Sequence, residues 1–195
     1  MIYQILRFIG APVIYLLFFP KIIGRKNTRI KGRAIIISNH LSMWDPLLIS
    51  VVFSRHIYWM GKIELFKNPI ARFFFNLVKA FPVRRGEGDL AAIRHAFRVL
   101  RDGKLFGIFP EGTRIKSGAL RRFEPGTSMI ALKSDAPIVP VYLKGSYKPF
   151  RRMKLIIGEP IRLADYVGPK TDQQAVEAAT TFLHQKIEDL QNTKI

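Results

Sequence analysis

An α/β fold, with a mixed or mostly parallel sheet flanked by helices, is predicted for this 195-residue sequence on three observations. Short apolar runs of strand character alternate with longer amphipathic runs of helix character. Polar clusters fall where the apolar runs end, at loops that commonly carry binding and catalytic groups. Finally, 48% of the residues are hydrophobic, enough for one domain with a substantial core in a chain too short to favour two.

The first apolar run, "FIGAPVIYLLFFP" at residues 8–20, lies between Arg7 and Lys21, and Ile2, Ile5, Ile22 and Ile23 extend it. A helical bilayer span takes about 20 apolar residues. This run is shorter and is interrupted by Gly10 and Pro12. No acidic residue precedes Asp45, while Arg7, Lys21, Arg25, Lys26, Arg29, Lys31 and Arg33 are all basic. Apolar insertion beside a basic cluster is the two-signal arrangement that stable membrane attachment needs. Residues 1–24 are therefore expected to be a monotopic or re-entrant membrane-associating segment, and residues 25–195 the functional domain. A signal peptide is not expected, since little basic charge precedes the apolar core and no small-residue cleavage site follows.

Downstream, "AIIIS" reads as a buried strand and "DPLLISVVF" as a helix or second buried segment. "RHIYWMGK" alternates like a strand and ends in a turn at "GKIELF". "NPIARFFFNLVKAF" reads as a helix from Asn68 with Pro69 at its first position. "GDLAAIRHAFRVLRDG" is a clearer amphipathic helix, with Leu90, Ile93, Phe97 and Leu100 on one face and Gly103 as its stop. "KLFGIFP", "APIVPVYLKG" and "MKLIIGEP" read as strands. A last helix begins at Thr171, with Gln174 completing a capping box and Val176, Ala179, Leu183, Ile187 and Leu190 on its apolar face.

Composition narrows the function. Cysteine is absent, which excludes disulfides, thiolate metal sites and a cysteine nucleophile. A formal charge of +18 implies anionic partners such as nucleic acid, an acidic carrier protein, a phosphorylated substrate or anionic lipid.

Four polar clusters stand at expected strand ends. "SNHLSMWDP", residues 38–46, holds His40 and Asp45. They are about 140° apart on an ideal helix at roughly 100° per residue, so only a turn entering a helix brings them together. There Asp45 accepts a hydrogen bond from one ring nitrogen and leaves the other as a proton acceptor. "FPVRRGEGD", residues 81–89, offers Arg84 and Arg85, whose forked donors match a phosphate. "FPEGTR", residues 109–114, supplies Glu111, Gly112, Thr113 and Arg114, with Gly112 able to bring backbone close to a ligand. The fourth, "IVPVYLKGS" at residues 138–146, is the weakest, since a valine-rich strand with one proline is usually core.

Taken in order, "NHLSMWD", "FPVRRGEGD", "FPEGTR" and "IVPVYLKG" resemble the motifs of the glycerolipid acyltransferase family that includes 1-acylglycerol-3-phosphate acyltransferases. The resemblance spans residues 39–145. It implies the family's glycerol-3-phosphate-acyltransferase-like α/β fold at the cytoplasmic membrane face, with acyl-CoA or acyl carrier protein as donor and a lysophospholipid as acceptor. It also implies that His40 and Asp45 are the catalytic pair and that the Arg84 region, Glu111, Gly112 and Arg114 bind phosphate. One departure stands out. Relatives often read Phe-Lys-x-Gly-Ala after the third motif, whereas this chain reads Phe123, Glu124, Pro125, Gly126, Thr127, with an acidic residue at the basic position.

The chemistry fits without the family. Acyl transfer from a thioester to an alcohol needs a base for the hydroxyl, a place for the oxyanion and a site for the acceptor's phosphate. His40 is the best base, and no GxSxG elbow is present, so direct attack by the acceptor hydroxyl is favoured over an acyl-serine. Arg84, Arg85 and Arg114 are placed on the phosphate, with Glu111 orienting them or the glycerol backbone. Lys62 in "GKIELF" is a candidate for oxyanion or donor contacts, against an equally good reading as a surface lysine. His56, His95 and His184 each stand alone in their segments, so no metal site or cofactor is expected. The competing reading is a basic binding protein without catalysis. "KGSYKPFRRMK" supports it, interleaving Lys144, Lys148, Arg151, Arg152 and Lys154 with Tyr147 and Phe150. That stretch does not explain four polar clusters at strand ends, and is assigned instead to the anionic membrane surface or an acidic carrier protein. A nucleic-acid partner is not expected. Other lysolipids or glycerol 3-phosphate remain alternative acceptors.

Overall fold

Strands and helices alternate as the sequence indicates, and together they form a helix–sheet–helix sandwich. The computed structural model describes residues 2–84, 89–115, 120–168 and 171–193. In chain order the elements are α1 (Ile2–Phe18), β1 (Lys21–Ile23), β2 (Ala34–Ser38), α2 (Asp45–Val52), β3 (Ile57–Lys62), α3 (Pro69–Leu77), β4 (Phe81–Val83), α4 (Leu90–Arg101), β5 (Leu105–Ile108), α5 (Pro125–Ser134), β6 (Ile138–Lys144), β7 (Lys154–Ile157), α6 (Ala164–Val167) and α7 (Gln173–Gln191). The strands form one sheet in the order β1-β7-β6-β2-β5-β3-β4. From β6 to β4 all neighbours are parallel, while β7 runs antiparallel to β6 and takes β1 with it.

The isoleucine run of β2 lies at the centre because every one of its residues is buried, the pattern of a strand covered on both faces. Its side chains divide between two cores. Ala34 and Ile36 pack with α1, α2, Trp59 and Leu105 on one face; Ile35 and Ile37 pack with α4, α5 and α7 on the other. The connections leaving adjacent strands β2 and β5 therefore go to opposite faces, which opens a crevice at their carboxyl ends. Gly107 in β5 serves that region by its smallness: a Cβ there would sit 2.5 Å from the Trp59 ring.

Several local expectations change. In α4 the buried stripe is Ala92, Ala96, Val99 and Leu100, whereas Leu90 is exposed; small residues let the helix lie close to the sheet. Asp89 caps that helix, accepting from the amides of Ala91 and Ala92. The cap of α7 is Asp172, which accepts from Ala175 N–H, and not the box expected of Thr171 and Gln174. Strand β1 and helix α5 were not expected. The N-terminal run is the 17-residue helix α1, with Pro12 inside it. Among the described residues no helix is long and apolar enough to cross a membrane. Ile14 and Phe18 of α1 are buried in the core, so the helix packs on the domain.

Candidate active site

The loop leaving β2 carries the site, and its shape follows from one carboxylate. Asp45 begins α2 and is fully buried. Its side chain turns back over the loop it ends: Oδ2 accepts from the main-chain N–H of Leu41 at 2.6 Å and of Ser42 at 2.7 Å. The same oxygen lies 2.7 Å from His40 Nδ1. The turn thus does what a helix face could not, bringing together residues five apart. Ser38 and Ser42 hydroxyls are occupied within the loop, Ser38 Oγ donating to Asn39 O and Ser42 Oγ accepting from Trp44 N–H.

His40 is fixed on every side but one. Its N–H donates to Glu111 Oε2 at 3.1 Å, and its carbonyl accepts from Ile115 N–H at 2.8 Å. Its ring stacks on Phe109, with centroids 4.0 Å apart and 14° between planes, and Trp59 stacks beneath Phe109 at 4.9 Å. Trp59 is held in turn by its indole N–H on Ser50 Oγ. With Asp45 on Nδ1, the neutral imidazole carries its proton there, and Nε2 is the accepting atom. Its side chain is 11% exposed, enough for contact with a substrate and little enough to exclude bulk water.

Asn39 anchors the loop. Its amide accepts from Leu143 N–H at 2.7 Å and donates to Leu143 O at 3.0 Å, extending the β2–β6 pairing by a side chain. Asn39 stands in sequence within the same polar cluster as His40 and Asp45, but its partner Leu143, like the Phe109–Trp59 stack, is distant in the chain and does not show there.

Glu111 lies under this loop and is 5% exposed. Burial pushes its carboxyl up to about 7. The amides of His40 and Arg121 oppose that rise, the Asp45 charge adds to it and the Arg121 charge opposes it. A group raised on folding contributes stability that is full below the unfolded value near 4.5 and lost as pH rises through 7. Between these limits the wild type is expected to lose about 3 kcal/mol relative to Glu111→Gln, which keeps an acceptor for His40 N–H. Urea melts of both proteins between pH 4 and 8 check this. Parallel stability curves would refute it.

Those of the remaining expected residues that are described follow the ends of neighbouring strands. Arg84 follows β4 and is exposed; Asp89 accepts its main-chain N–H at 2.9 Å, so one carboxylate both caps α4 and holds the main chain of Arg84. Arg85 lies outside the described residues. Gly112 has φ +68°, a left-handed turn, and is partly buried together with Thr113; Arg114 is exposed beyond them. Lys62 is exposed at the end of β3, 3.4 Å from Glu64 Oε1. Strands β2, β5, β3 and β4 are parallel neighbours, so His40, Glu111, Lys62 and Arg84 all lie at the carboxyl ends of the strands. His56, His95 and His184 pack on Tyr58, Phe81 and Phe123 rings respectively.

A histidine–aspartate pair on the central strand's loop, with arginines on neighbouring loops, suits transfer of an acyl group to a phosphate-bearing alcohol. The chain belongs to the acyltransferase family, whose model matches residues 20–144. It is 32% identical over 179 residues to the 1-acyl-sn-glycerol-3-phosphate acyltransferase of Bacillus subtilis, covering 88% of each chain. It is 34% identical over 180 residues to the enzyme of that name from Limnanthes douglasii, covering 90% of this chain and 63% of that one. Its fold is shared with the crystal structure of the 1-acyl-sn-glycerophosphate (LPA) acyltransferase, PlsC, from Thermotoga maritima. The TM-score is 0.70 at 23% identity, over 100% of this chain and 81% of that one. The protein is thus an O-acyltransferase enzyme.

Proposed function

We propose that this enzyme transfers a fatty acyl group from acyl-CoA or acyl carrier protein to the sn-2 hydroxyl of 1-acylglycerol 3-phosphate, forming phosphatidic acid for phospholipid biosynthesis. The observation that carries the reading is the buried Asp45 carboxylate 2.7 Å from His40 Nδ1, which leaves Nε2 as a base at the crevice. The acceptor hydroxyl attacks the thioester carbonyl, a C–O bond forms and its proton passes to Nε2. The tetrahedral oxyanion then collapses, the C–S bond breaks, and the imidazolium returns the proton to the thiolate, releasing the thiol. Asp45 holds the tautomer and offsets the imidazolium charge between these steps. Arg84, Arg85 and Arg114 take the acceptor's phosphate, with Gly112 and Thr113 beside it and Lys62 at the donor or oxyanion. The test is product analysis by mass spectrometry with a panel of acceptors. Phosphatidic acid formed from 1-acylglycerol 3-phosphate in preference to glycerol 3-phosphate and neutral lysolipids supports the reading, and preference for another acceptor reassigns it.

The same reading places the enzyme on the cytoplasmic face of the membrane, attached through residues 1–24. Supporting this, Val13 and Leu16 of α1, Phe19 just after it, Met43 and Trp44 of the catalytic turn and Leu47 of α2 are exposed in a chain of charge +18. Because Ile14 and Phe18 belong to the core, removing α1 would test folding as much as attachment. The cleaner variant is Val13→Asp with Leu16→Asp, both half-exposed or more. It is expected to lower partitioning onto phosphatidylglycerol vesicles about tenfold or more, from the apolar area it withdraws. Unchanged co-sedimentation would argue against α1 as the attachment.

A further inference from the structure

Three donors converge on Asp45 Oδ2, yet its other oxygen, Oδ1, is buried and pairs with no protein group among the described residues. One further buried group shares that condition nearby: the hydroxyl of Tyr147, in the loop between β6 and β7. Buried polar atoms are ordinarily paired, and a phenol donor beside a carboxylate acceptor is a complementary couple. We propose that Tyr147 donates its hydroxyl to Asp45 Oδ1 and is thereby the positioning residue of the His40–Asp45 pair. The inference rests on the acyl-transfer reading only for its effect on turnover.

Two observations support the pairing. First, the phenol of Tyr147 is pushed well above its ordinary range, by burial foremost and then by the charge of the neighbouring Asp45 carboxylate. The two buried, unpartnered atoms thus belong to groups close enough to interact. Second, Tyr147 is held in that position by packing. Its ring meets Phe18 edge-on at 5.0 Å, and Phe18 meets Trp44, the residue before Asp45, at 5.6 Å. The main chain of the loop is fastened to the end of α1, where Phe150 N–H donates to Leu17 O and Met153 N–H to Phe18 O. These are helix carbonyls that need outside donors. The end of α1, the Tyr147 loop and the catalytic turn consequently form one packed unit, and a helix proposed to touch the membrane bears on the orientation of Asp45.

Among the described residues, the titratable groups that face Asp45 are His40, Tyr147 and Glu111. Of these, Tyr147 shares with Oδ1 the condition of being buried and without a partner, and its donation leaves the bonds already made to Oδ2 in place. Removing that donor concentrates charge on Oδ2, strengthens its bond to Nδ1–H and frees the carboxylate to rotate.

The test is Tyr147→Phe, which keeps the ring on Phe18. Turnover in the acceptor-dependent acyl-transfer assay is expected to fall about tenfold with KM for the thioester unchanged, since an ionic hydrogen bond is lost. The low-field proton resonance of His40 Nδ1–H, read by NMR without substrate, is expected to move downfield. Should that protein not fold, Phe18→Leu is expected to shift the resonance less and in the same direction. An unmoved resonance overturns the proposal whatever the rate, as does full turnover in a variant that folds normally. A resonance moved in Tyr147→Phe, with a wild type that transfers no acyl group, would sustain the pairing while refuting the assigned reaction.

Discussion

His40→Ala is expected to lower turnover by about 10²–10⁴-fold while binding of the thioester persists, because only the proton acceptor is removed. The direction follows from placement. The main-chain N–H and carbonyl of His40 are held by Glu111 and Ile115, so the alanine variant retains the loop's bonds. Phe109 loses a stacked ring but stays on Trp59. Steady-state release of free thiol from palmitoyl-CoA, with 1-acylglycerol 3-phosphate present, reads this directly. Near wild-type turnover would remove His40 as the base.

Asp45→Asn is the second large effect, and it separates geometry from charge. An amide can present its oxygen to Leu41 N–H, Ser42 N–H and His40 Nδ1–H only as a neutral acceptor, so the imidazolium loses its counter-charge. If it presents the NH₂ group instead, donors face donors and the turn opens. Either way turnover is expected to fall about 10²–10⁴-fold, the scale on which tautomer and imidazolium stabilisation act in comparable histidine–carboxylate pairs. A cost in thermal stability accompanies it, because the carboxylate is fully buried among donors. The assay of the His40 variant, run beside a thermal melt, checks both. Unchanged turnover in a folded protein would leave Asp45 with a structural role alone.

What could be read in sequence was what is local. "AIIIS" announces a central strand because burial on both faces demands an uninterrupted apolar run. His40 and Asp45 are legible because the turn that joins them lies between them. Helix α5 is not legible in sequence because Thr127 and Ser128 are buried beside Ile130 and Ala131, so no apolar stripe marks its inner face. Strand β1 is three residues at a sheet edge, where pairing with β7 and not composition makes the strand. In α4 the weight given to large side chains pointed to Leu90, while close approach to the sheet selects Ala92 and Ala96. The supports of the site are distant in sequence: Asn39 reaches Leu143, and Glu111 reaches the His40 main chain. Tyr147, which a basic and aromatic stretch makes look like a stacking platform, instead lies half-buried against Phe18.

The most direct test of His40 as base for direct transfer is rapid-quench measurement of thiol released from palmitoyl-CoA, without acceptor and then after 1-acylglycerol 3-phosphate is added. With transfer straight to the acceptor hydroxyl, no thiol is released beyond slow hydrolysis until the acceptor arrives, and release then requires His40. A burst of thiol equal to the enzyme concentration before the acceptor is added, with the acyl group recovered on the protein, would contradict it.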